Sequence, residues 1–257
     1  MQRNVKITSV LMLLILSAVV VYLTIAVEDK PNKQVSLVEL KGNIHLPKDQ
    51  YFKFAGLNDI QKQSDVNIAI IRDRLSKHPY IQKVDVAIKE NRLMIDISEK
   101  RFEAILFSKD KQFFVTDNSV LVPVLPYTQQ INYPIISNPK IENDILPMTS
   151  VLKQKDVVTA LKILSAAKLV NPDLSDALSE INLRNGKDIL VQFSSMDYPV
   201  IIGRGSEIRK ILTFNTLWDY LSSNKSSAII NYVDLRYAEH VFLGFIDEES
   251  PEKDSTI

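Results

Sequence analysis

The pattern of apolar and polar positions separates a short N-terminal segment from the rest of the chain. Residues 7–27 contain no charged side chain. At about 1.5 Å per residue, a helix of this length spans the ~30 Å hydrocarbon core of a bilayer. Arg3 and Lys6 precede the segment, and acidic residues follow it. Because positive charge stays on the cytoplasmic side, we expect a single-pass transmembrane helix with residues 1–6 in the cytoplasm and the body exported.

A cleaved signal peptide is the alternative interpretation of this segment, with Thr24 and Ala26 as the small residues near a cleavage site. The apolar region of a signal peptide usually runs for about 7–15 residues, which is shorter than the segment seen here. The uncleaved membrane anchor is therefore the preferred interpretation, and residues 28–34 follow it as a polar linker.

Apolar periodicity predicts a compact unit over residues 35–99, with the order strand, helix, helix, strand, strand. Its second helix is predicted to bury Val66, Ile70, Ile71 and Leu75. The predicted elements are a strand over 35–41, a helix from Pro47 to Gly56, a helix capped by Ser64 or Asp65 and ended by Pro79, and strands over 81–89 and 92–98 around a Glu90-Asn91 turn.

A strand-rich unit with two or more packed helices is predicted over residues 100–246, so the fold class is α+β. Residues 123–150 contain five prolines and are predicted to be an irregular connection, and residues 247–257, with five acids and one lysine, a disordered tail. Strands are predicted over 102–108, 112–124, 181–184, 187–193, 198–202, 229–236 and 241–245, with a two-residue hairpin turn at Asn185-Gly186.

The two helices of this second unit are recognised by their apolar faces. Asp156 is predicted to cap the first helix, and the second covers residues 206–221. Their predicted buried faces are Val157, Leu161, Leu164 and Ala167 in the first, and Ile208, Ile211, Leu212, Trp218 and Leu221 in the second.

Composition excludes several classes of function. Lysine plus arginine equals aspartate plus glutamate at 31 each, so no overall field attracts nucleic acid, and basic residues do not cluster beside aromatic ones. The chain has no cysteine, which excludes disulfides, thiol nucleophiles and cysteine metal ligands.

No catalytic, cofactor-binding or metal site is predicted. His45, His78 and His240 lack partners at metal-ligand spacing and are expected to be surface or cap histidines. No nucleophile-elbow pattern accompanies them. Gly203-Arg204-Gly205 lies between a strand and a helix, but Ile208 occupies the place of the third glycine of a dinucleotide fingerprint, so these glycines are expected to form a turn. We therefore expect neither an enzyme nor a small-molecule substrate.

Three stretches of the sequence resemble the FtsQ/DivIB family of bacterial division proteins. They are residues 35–43, which end in Lys-Gly-Asn, residues 75–99, with a Pro-aromatic-apolar step and a final Glu99, and Tyr232-Val-Asp-Leu-Arg-Tyr237. The chain departs from the family pattern at Tyr80, at Glu90-Asn91 and after Tyr237.

The resemblance implies a POTRA domain over residues 35–99 and a β domain over residues 100–246. It implies a non-enzymatic scaffold of the divisome, in the bacterial inner membrane with its body in the periplasm, concentrated at the division septum. The implied partners are FtsB and FtsL, and indirectly FtsW and FtsI. FtsB is implied to add a strand to the last strand of the β domain, on Arg236, Tyr237, Val241, Phe242, Leu243, Gly244 and Phe245.

Physical reasoning also favours the last strand as a binding site, because the edge of a sheet presents unpaired N–H and C=O groups. Val241, Leu243 and Phe245 share one predicted face and Phe242 the other, with Tyr237 as the expected aromatic anchor. The alternative is that these residues complete the core, with Phe242 packed on the helix over 206–221.

A second and weaker docking side is predicted in the first unit, between Arg72 and Val86. Two alternative functions for the whole chain are a POTRA-bearing envelope assembly or secretion factor and a membrane-anchored envelope hydrolase. Residues 100–246 lack the repeated amphipathic strands of about ten residues that a membrane barrel would require for the first of these.

Overall fold

The computed structural model describes residues 12–19, 35, 37–57, 67–142, 144–223, 230–237 and 240–245. Residues 12–19 are helical and exposed. The rest of the predicted membrane span, the cytoplasmic residues 1–6, the linker 28–34 and the acidic tail 247–257 lie outside the described residues. Within the described ranges, no helix is both long enough and apolar enough to cross a membrane.

The first unit has the predicted element order and forms a three-stranded sheet in the order β1-β3-β2. Strand β1 runs parallel to β3, and β2 runs antiparallel to it. Two helices connect β1 to β2. The bounds are β1 (Leu37–Lys41), α1 (Lys48–Ala55), α2 (Ile68–Ser76), β2 (Ile81–Lys89) and β3 (Arg92–Glu99).

Local sequence accounts for most of this unit. Glu90 and Asn91 both adopt a positive φ, so they form the tight turn that joins β2 to β3 as predicted. Leu93, Ile95 and Ile97 alternate along β3 and are buried, so one face of the strand lies on the core.

Two details of α2 differ from the prediction. The side chain of Asn67, rather than Ser64 or Asp65, caps the helix by accepting hydrogen bonds from the backbone N–H groups of Ala69 and Ile70. Ile70 is half exposed, because only Ile71 and Leu75 face the core in this short helix.

The second unit is a nine-stranded sheet with the strand order β12-β11-β10-β9-β8-β7-β4-β5-β6. Its helices α3 and α5 pack on each other, and side chains of α3, α4 and α5 join those of the sheet in one core. The bounds are β4 (Phe102–Ser108), β5 (Lys111–Thr116), β6 (Leu121–Pro123), β7 (Ile135–Ser137), α3 (Lys155–Val170), α4 (Pro172–Ala177), β8 (Leu178–Asn182), β9 (Leu190–Phe193), β10 (Val200–Ile201), α5 (Glu207–Ser223), β11 (Ile230–Asp234) and β12 (Phe242–Phe245).

Strand β7 lies within the connection that was predicted to be irregular. It pairs in parallel with β4 on one side and with β8 on the other, so it is central in the sheet. The predicted two-residue hairpin at Asn185-Gly186 is also wrong in detail. Strands β8 and β9 do pair antiparallel, but Asn182 is paired with Leu190 and a short 3₁₀ turn, Arg184–Gly186, lies inside the longer loop.

Most residues predicted to be buried in the two helices of this unit are buried, namely Val157, Leu164 and Ala167 in α3 and Ile211, Trp218 and Leu221 in α5, and Leu161 is partly buried against the same core. Other details differ from the prediction. Gln154, not Asp156, occupies the cap position of α3, and Asp156 lies in the first turn, where it bonds to Arg204. In α5 the side chains of Ile208 and Leu212 are about half exposed. Phe214, which the prediction omitted, is fully buried and lies between Phe193 and Trp218, with ring centroids 5.1 and 6.0 Å away.

The packing of the first unit continues past residue 99. Phe102, Ile105, Phe114 and Val122 from the predicted β domain belong to the same hydrophobic cluster as the core of the first unit. The rings of Phe102 and Phe114 stack with centroids 4.2 Å apart. The two units are therefore joined through a shared apolar core.

Candidate functional site

The two ends of the nine-stranded sheet differ in how they are covered. At one end, residues 148–151 lie along β6. The backbone N–H of Met148 donates to the carbonyl of Leu121 at 2.7 Å, and the N–H of Leu121 donates to the carbonyl of Thr149 at 2.9 Å. Val151 N–H donates to the carbonyl of Ser119 at 2.9 Å. A loop therefore takes up the backbone groups that this edge would otherwise expose.

At the other end, β12 is the terminal strand, as predicted. It pairs antiparallel with β11, with Val233 opposite Leu243 and Asp234 opposite Phe242. On its other side, no strand from the described part of the chain pairs with it. Within the described ranges, β12 is therefore an open edge, a strand with one hydrogen-bonding side that pairs with no other strand.

The side chains of β12 divide between the core and the surface. Leu243 is partly buried and packs against the main core, as does the preceding Val241. Phe242 and Phe245 are 50% and 58% exposed. The open edge therefore carries two large aromatic side chains on the surface, which is a costly arrangement for a strand that makes no further contact.

Tyr237 and Phe242 form a pair beside this edge. Tyr237 is 58% exposed, and its ring meets that of Phe242 at an interplanar angle of 72° with centroids 5.1 Å apart. The ring of His240 stacks on Phe242 at 6.3 Å. The alternative in which Phe242 packs on α5 to complete the core is therefore wrong, although Val241 and Leu243 do contact the core.

Arg236 is fixed within the chain. Its guanidinium forms ion pairs with Asp234 at 2.6 Å and with Asp188 at 2.9 Å. The hydrogen bond from Arg236 holds the pKa of the Asp234 carboxyl below its ordinary value, in spite of the burial of Asp234. Arg236 thus ties the end of β11 to the loop before β9 and holds the backbone that leads to Tyr237.

A cleft of about 310 Å³ next to this region is lined by Arg204 and Gly205 of the Gly203-Arg204-Gly205 turn, and both glycines of the turn have a positive φ. The Glu207 carboxylate accepts a hydrogen bond from the N–H of Gly205 at 2.7 Å, and Arg204 forms an ion pair with Asp156 at 2.8 Å. Carboxylates of the chain itself therefore engage the Gly205 N–H and the Arg204 guanidinium, which are groups that a phosphate at this turn would use.

The first unit contains a buried polar cluster that sequence reasoning missed. The Glu99 carboxylate accepts hydrogen bonds from the backbone N–H groups of Ile44 and His45, at 2.9 and 3.0 Å. It also contacts His45 Nδ1 and the Tyr51 hydroxyl, each at 2.5 Å. His45 Nε2 lies 2.8 Å from the hydroxyl of Tyr133, which belongs to the second unit.

One signal for this cluster was present in the sequence. The alternation of Leu93, Ile95 and Ile97 continues to Glu99, which places a carboxylate on the buried face of β3. A buried carboxylate requires donors. The prediction that His45 is a surface or cap residue is wrong, because Glu99 and Tyr133 hold its ring within the fold.

His78 is also buried, contrary to the prediction. The backbone N–H of Tyr80 donates to its Nδ1 at 3.1 Å, and the rings of Tyr51 and Phe54 lie 4.7 Å away. An Nδ1 that accepts a hydrogen bond belongs to a neutral ring. Burial accordingly lowers the pKa of His78 from 6.5 to about 4.

The second predicted docking side, between Arg72 and Val86, has its outer backbone groups at Val86 bonded to local side chains. Arg72 donates to the backbone carbonyl of Val86 at 3.2 Å, and the Asp85 carboxylate accepts from the N–H of Val86 at 3.1 Å. Strand β2 therefore differs from β12, whose outer side carries no such cover among the described residues. Among all residues that the structure describes, no group of three or more histidine, aspartate or glutamate side chains is arranged to hold a metal ion.

Comparison with known proteins connects this fold to bacterial division. No protein-family model matches the chain. It is 29% identical over 213 residues to the cell division protein DivIB of Clostridium botulinum strain Hall, and 28% identical to that of strain Loch Maree, with 80% of each chain covered. It is 22% identical over 219 residues to the cell division protein FtsQ of Geobacter sp. strain M21, which covers 85% of this chain and 74% of the relative. Over most of its length the chain is therefore similar to bacterial cell division proteins named DivIB and FtsQ.

Proposed function

We propose that this chain acts in bacterial cell division as a non-enzymatic scaffold that binds a partner protein along β12. Similarity over most of the chain to proteins named cell division proteins supports a role in this process. The observation that carries the binding mechanism is the open edge at β12 in a sheet whose other edge is covered by residues 148–151.

The proposed mechanism is strand addition. An extended peptide that pairs with β12 satisfies the outward N–H and C=O groups of the strand and buries its exposed rings. Phe242 and Tyr237 provide apolar area at one side of the added strand, and Phe245 at the end of β12 provides more. Arg236, which is held by two aspartates, acts as a positioning residue for Tyr237.

The proposed partner for this edge is FtsB, in complex with FtsL, as the family resemblance implies. Through that complex the chain would act indirectly on FtsW and FtsI at the septum. We further propose that residues 7–27 anchor the chain in the inner membrane lipid, with the body in the periplasm. The uncharged sequence of these residues supports the anchor, and the basic residues before them support its orientation.

Capture of FtsB tests the proposal. The full-length chain is placed in lipid nanodiscs, and binding of the periplasmic segment of FtsB is measured for the wild type and for Tyr237→Ala and Leu243→Lys. Loss of the Tyr237 ring should weaken binding by about tenfold or more. Leu243→Lys should weaken it further, because it places a charge where the strand contacts the core.

Tyr127→Ala is the matched control, because Tyr127 is exposed and lies in the connection after β6. It should bind FtsB like the wild type. Undiminished binding by both edge variants would remove strand addition from the account, and absence of binding by the wild type would remove FtsB as the partner.

A further inference from the structure

We infer that Tyr232 determines which strand can pair with β12, and that position 244 is glycine so that the Tyr232 ring can lie across the edge strand. This inference rests on the proposed function, since it concerns the surface that an added strand would meet. It concerns a residue of β11, the strand behind the edge, which strand addition alone would not assign to the interface.

The geometry at Gly244 carries the inference. Tyr232 and Gly244 are opposite each other in the antiparallel pairing of β11 and β12. A Cβ atom built on Gly244 would lie 2.2 Å from Cε1 and 2.4 Å from Cζ of Tyr232. Real Cβ atoms do not approach other atoms so closely, so the outer half of the ring occupies the space that any other residue at 244 would fill.

The need for glycine here is a need for space. Gly244 is not among the glycines with a positive φ, so its backbone conformation is one that other residues adopt readily. A glycine in a strand weakens the strand unless it serves a close approach, and an aromatic ring laid across it restores part of the lost packing. At Gly244, the group that approaches the strand so closely is the Tyr232 ring.

The ring extends the binding surface to the open edge. It begins on β11, and its hydroxyl end lies over β12, while 38% of the side chain stays exposed. Phe242 lies two residues from Gly244 along β12 and therefore on the same face. Tyr232, Phe242 and Tyr237 together provide one aromatic surface along the edge, interrupted by no side chain at position 244.

This surface fits a partner of defined chemistry. A strand added to β12 lies about 4.8 Å from it, and its alternate side chains project on the same face as Phe242 and Tyr232. The partner residue beside Gly244 meets the end of the Tyr232 ring, and a residue two positions away meets Phe242. We therefore expect an extended segment with apolar side chains at both of these positions.

A double-mutant cycle on the full-length chain in nanodiscs tests the inference, with the periplasmic segment of FtsB as the probe. Tyr232→Ala should weaken binding by about tenfold, whereas Tyr232→Phe, which keeps the ring, should stay within about threefold of the wild type. Gly244→Ala should weaken binding in the wild-type background, because its Cβ displaces the ring. In the Tyr232→Ala background, the same substitution should have little further effect.

Hydrogen exchange of β11 and β12 in each unbound variant separates a lost contact from a lost strand. We expect Tyr232→Ala to keep the protection of Val233 and Leu243 while binding falls. Wild-type affinity in Tyr232→Ala, an equal loss in Tyr232→Phe, or the same cost for Gly244→Ala in both backgrounds would overturn the inference. Each of these results leaves strand addition intact, whereas failure of the wild type to bind the probe would count against the proposed function itself.

Discussion

The two ends of the nine-stranded sheet show opposite treatments of the same physical problem. At β6, backbone groups of Leu121 bond to Met148 and Thr149, and the edge is covered by the chain itself. At β12, no described strand covers the edge, and Phe242 and Phe245 are exposed beside it. An uncovered edge invites pairing with another chain. Among the described residues, the fold thus covers the edge at β6 and leaves the edge at β12 uncovered.

The substitution that should reduce stability most is at Glu99, in the buried polar cluster where the two units meet. Glu99→Gln should lower the free energy of unfolding by about 3 kcal/mol, because the buried carboxylate loses charge-assisted hydrogen bonds from His45 and Tyr51. Chemical denaturation of the body measures this change. Binding at β12 should be unchanged at temperatures where the variant is folded, because Glu99 lies in β3 of the first unit and β12 is the end strand of the other sheet.

Glu103→Gln is the control for that substitution. Glu103 forms an exposed ion pair with Lys168 at 3.3 Å, so its loss should cost no more than about 0.5 kcal/mol. Equal stability of the Glu99 and Glu103 variants would show that the buried cluster around Glu99 does not stabilise the contact between the two units.

The covered edge can be opened by removing one donor. Met148→Pro deletes the N–H that bonds to the carbonyl of Leu121 and forces φ to about −65°, whereas Met148 has φ 61°. We expect a loss of about 2 kcal/mol in stability, and self-association measurable by analytical ultracentrifugation once β6 is exposed.

Met148→Gly is the matched variant, because glycine accepts a positive φ and keeps the N–H. It should stay monomeric and about as stable as the wild type. If Met148→Pro behaves in the same way, the loop over residues 148–151 is not what protects this edge.

The remaining prediction is a pH dependence of folding stability that arises from His78. Its pKa is about 4 in the folded chain and about 6.5 in the unfolded one, so between these values the unfolded chain binds more protons. Stability should therefore fall as pH decreases from 6.5 towards 4, by roughly 2 kcal/mol, because each unit of pKa difference is worth about 1.4 kcal/mol. In His78→Asn this part of the pH dependence should be absent from denaturation curves. A slope that persists unchanged would assign it to another group.

The sequence predicts the first unit well because its elements are built from local signals. The alternation along β2 and β3 and the Glu90-Asn91 turn need no distant contact to be recognised. The position of β12 at an edge of the sheet also agrees with its prediction as the last strand. The residues predicted for the site, Arg236, Tyr237 and 241–245, do lie together around this edge, and their role in binding stays a proposal.

The features that the sequence did not predict depend on contacts between residues that are distant along the chain. Strand β7 has three residues, and its partners Ile105 and Ile181 lie far along the chain, so no periodicity marks it. The contact of His45 with Glu99 joins residues 54 positions apart. Helices α2 and α5 carry more apolar residues than they bury, so Ile70, Ile208 and Leu212 were assigned to the core although they are exposed. Only the tertiary packing decides which apolar residues are used.

Strand addition at β12 is tested most directly by amide hydrogen exchange of the chain with and without the periplasmic segment of FtsB. If a partner strand pairs with β12, the amides of Phe242–Phe245 that face away from β11 should exchange more slowly in the complex, whereas the exchange rates of the amides in Leu121–Pro123 should not change. Binding of FtsB that leaves the exchange of Phe242–Phe245 unaltered would contradict strand addition at this edge.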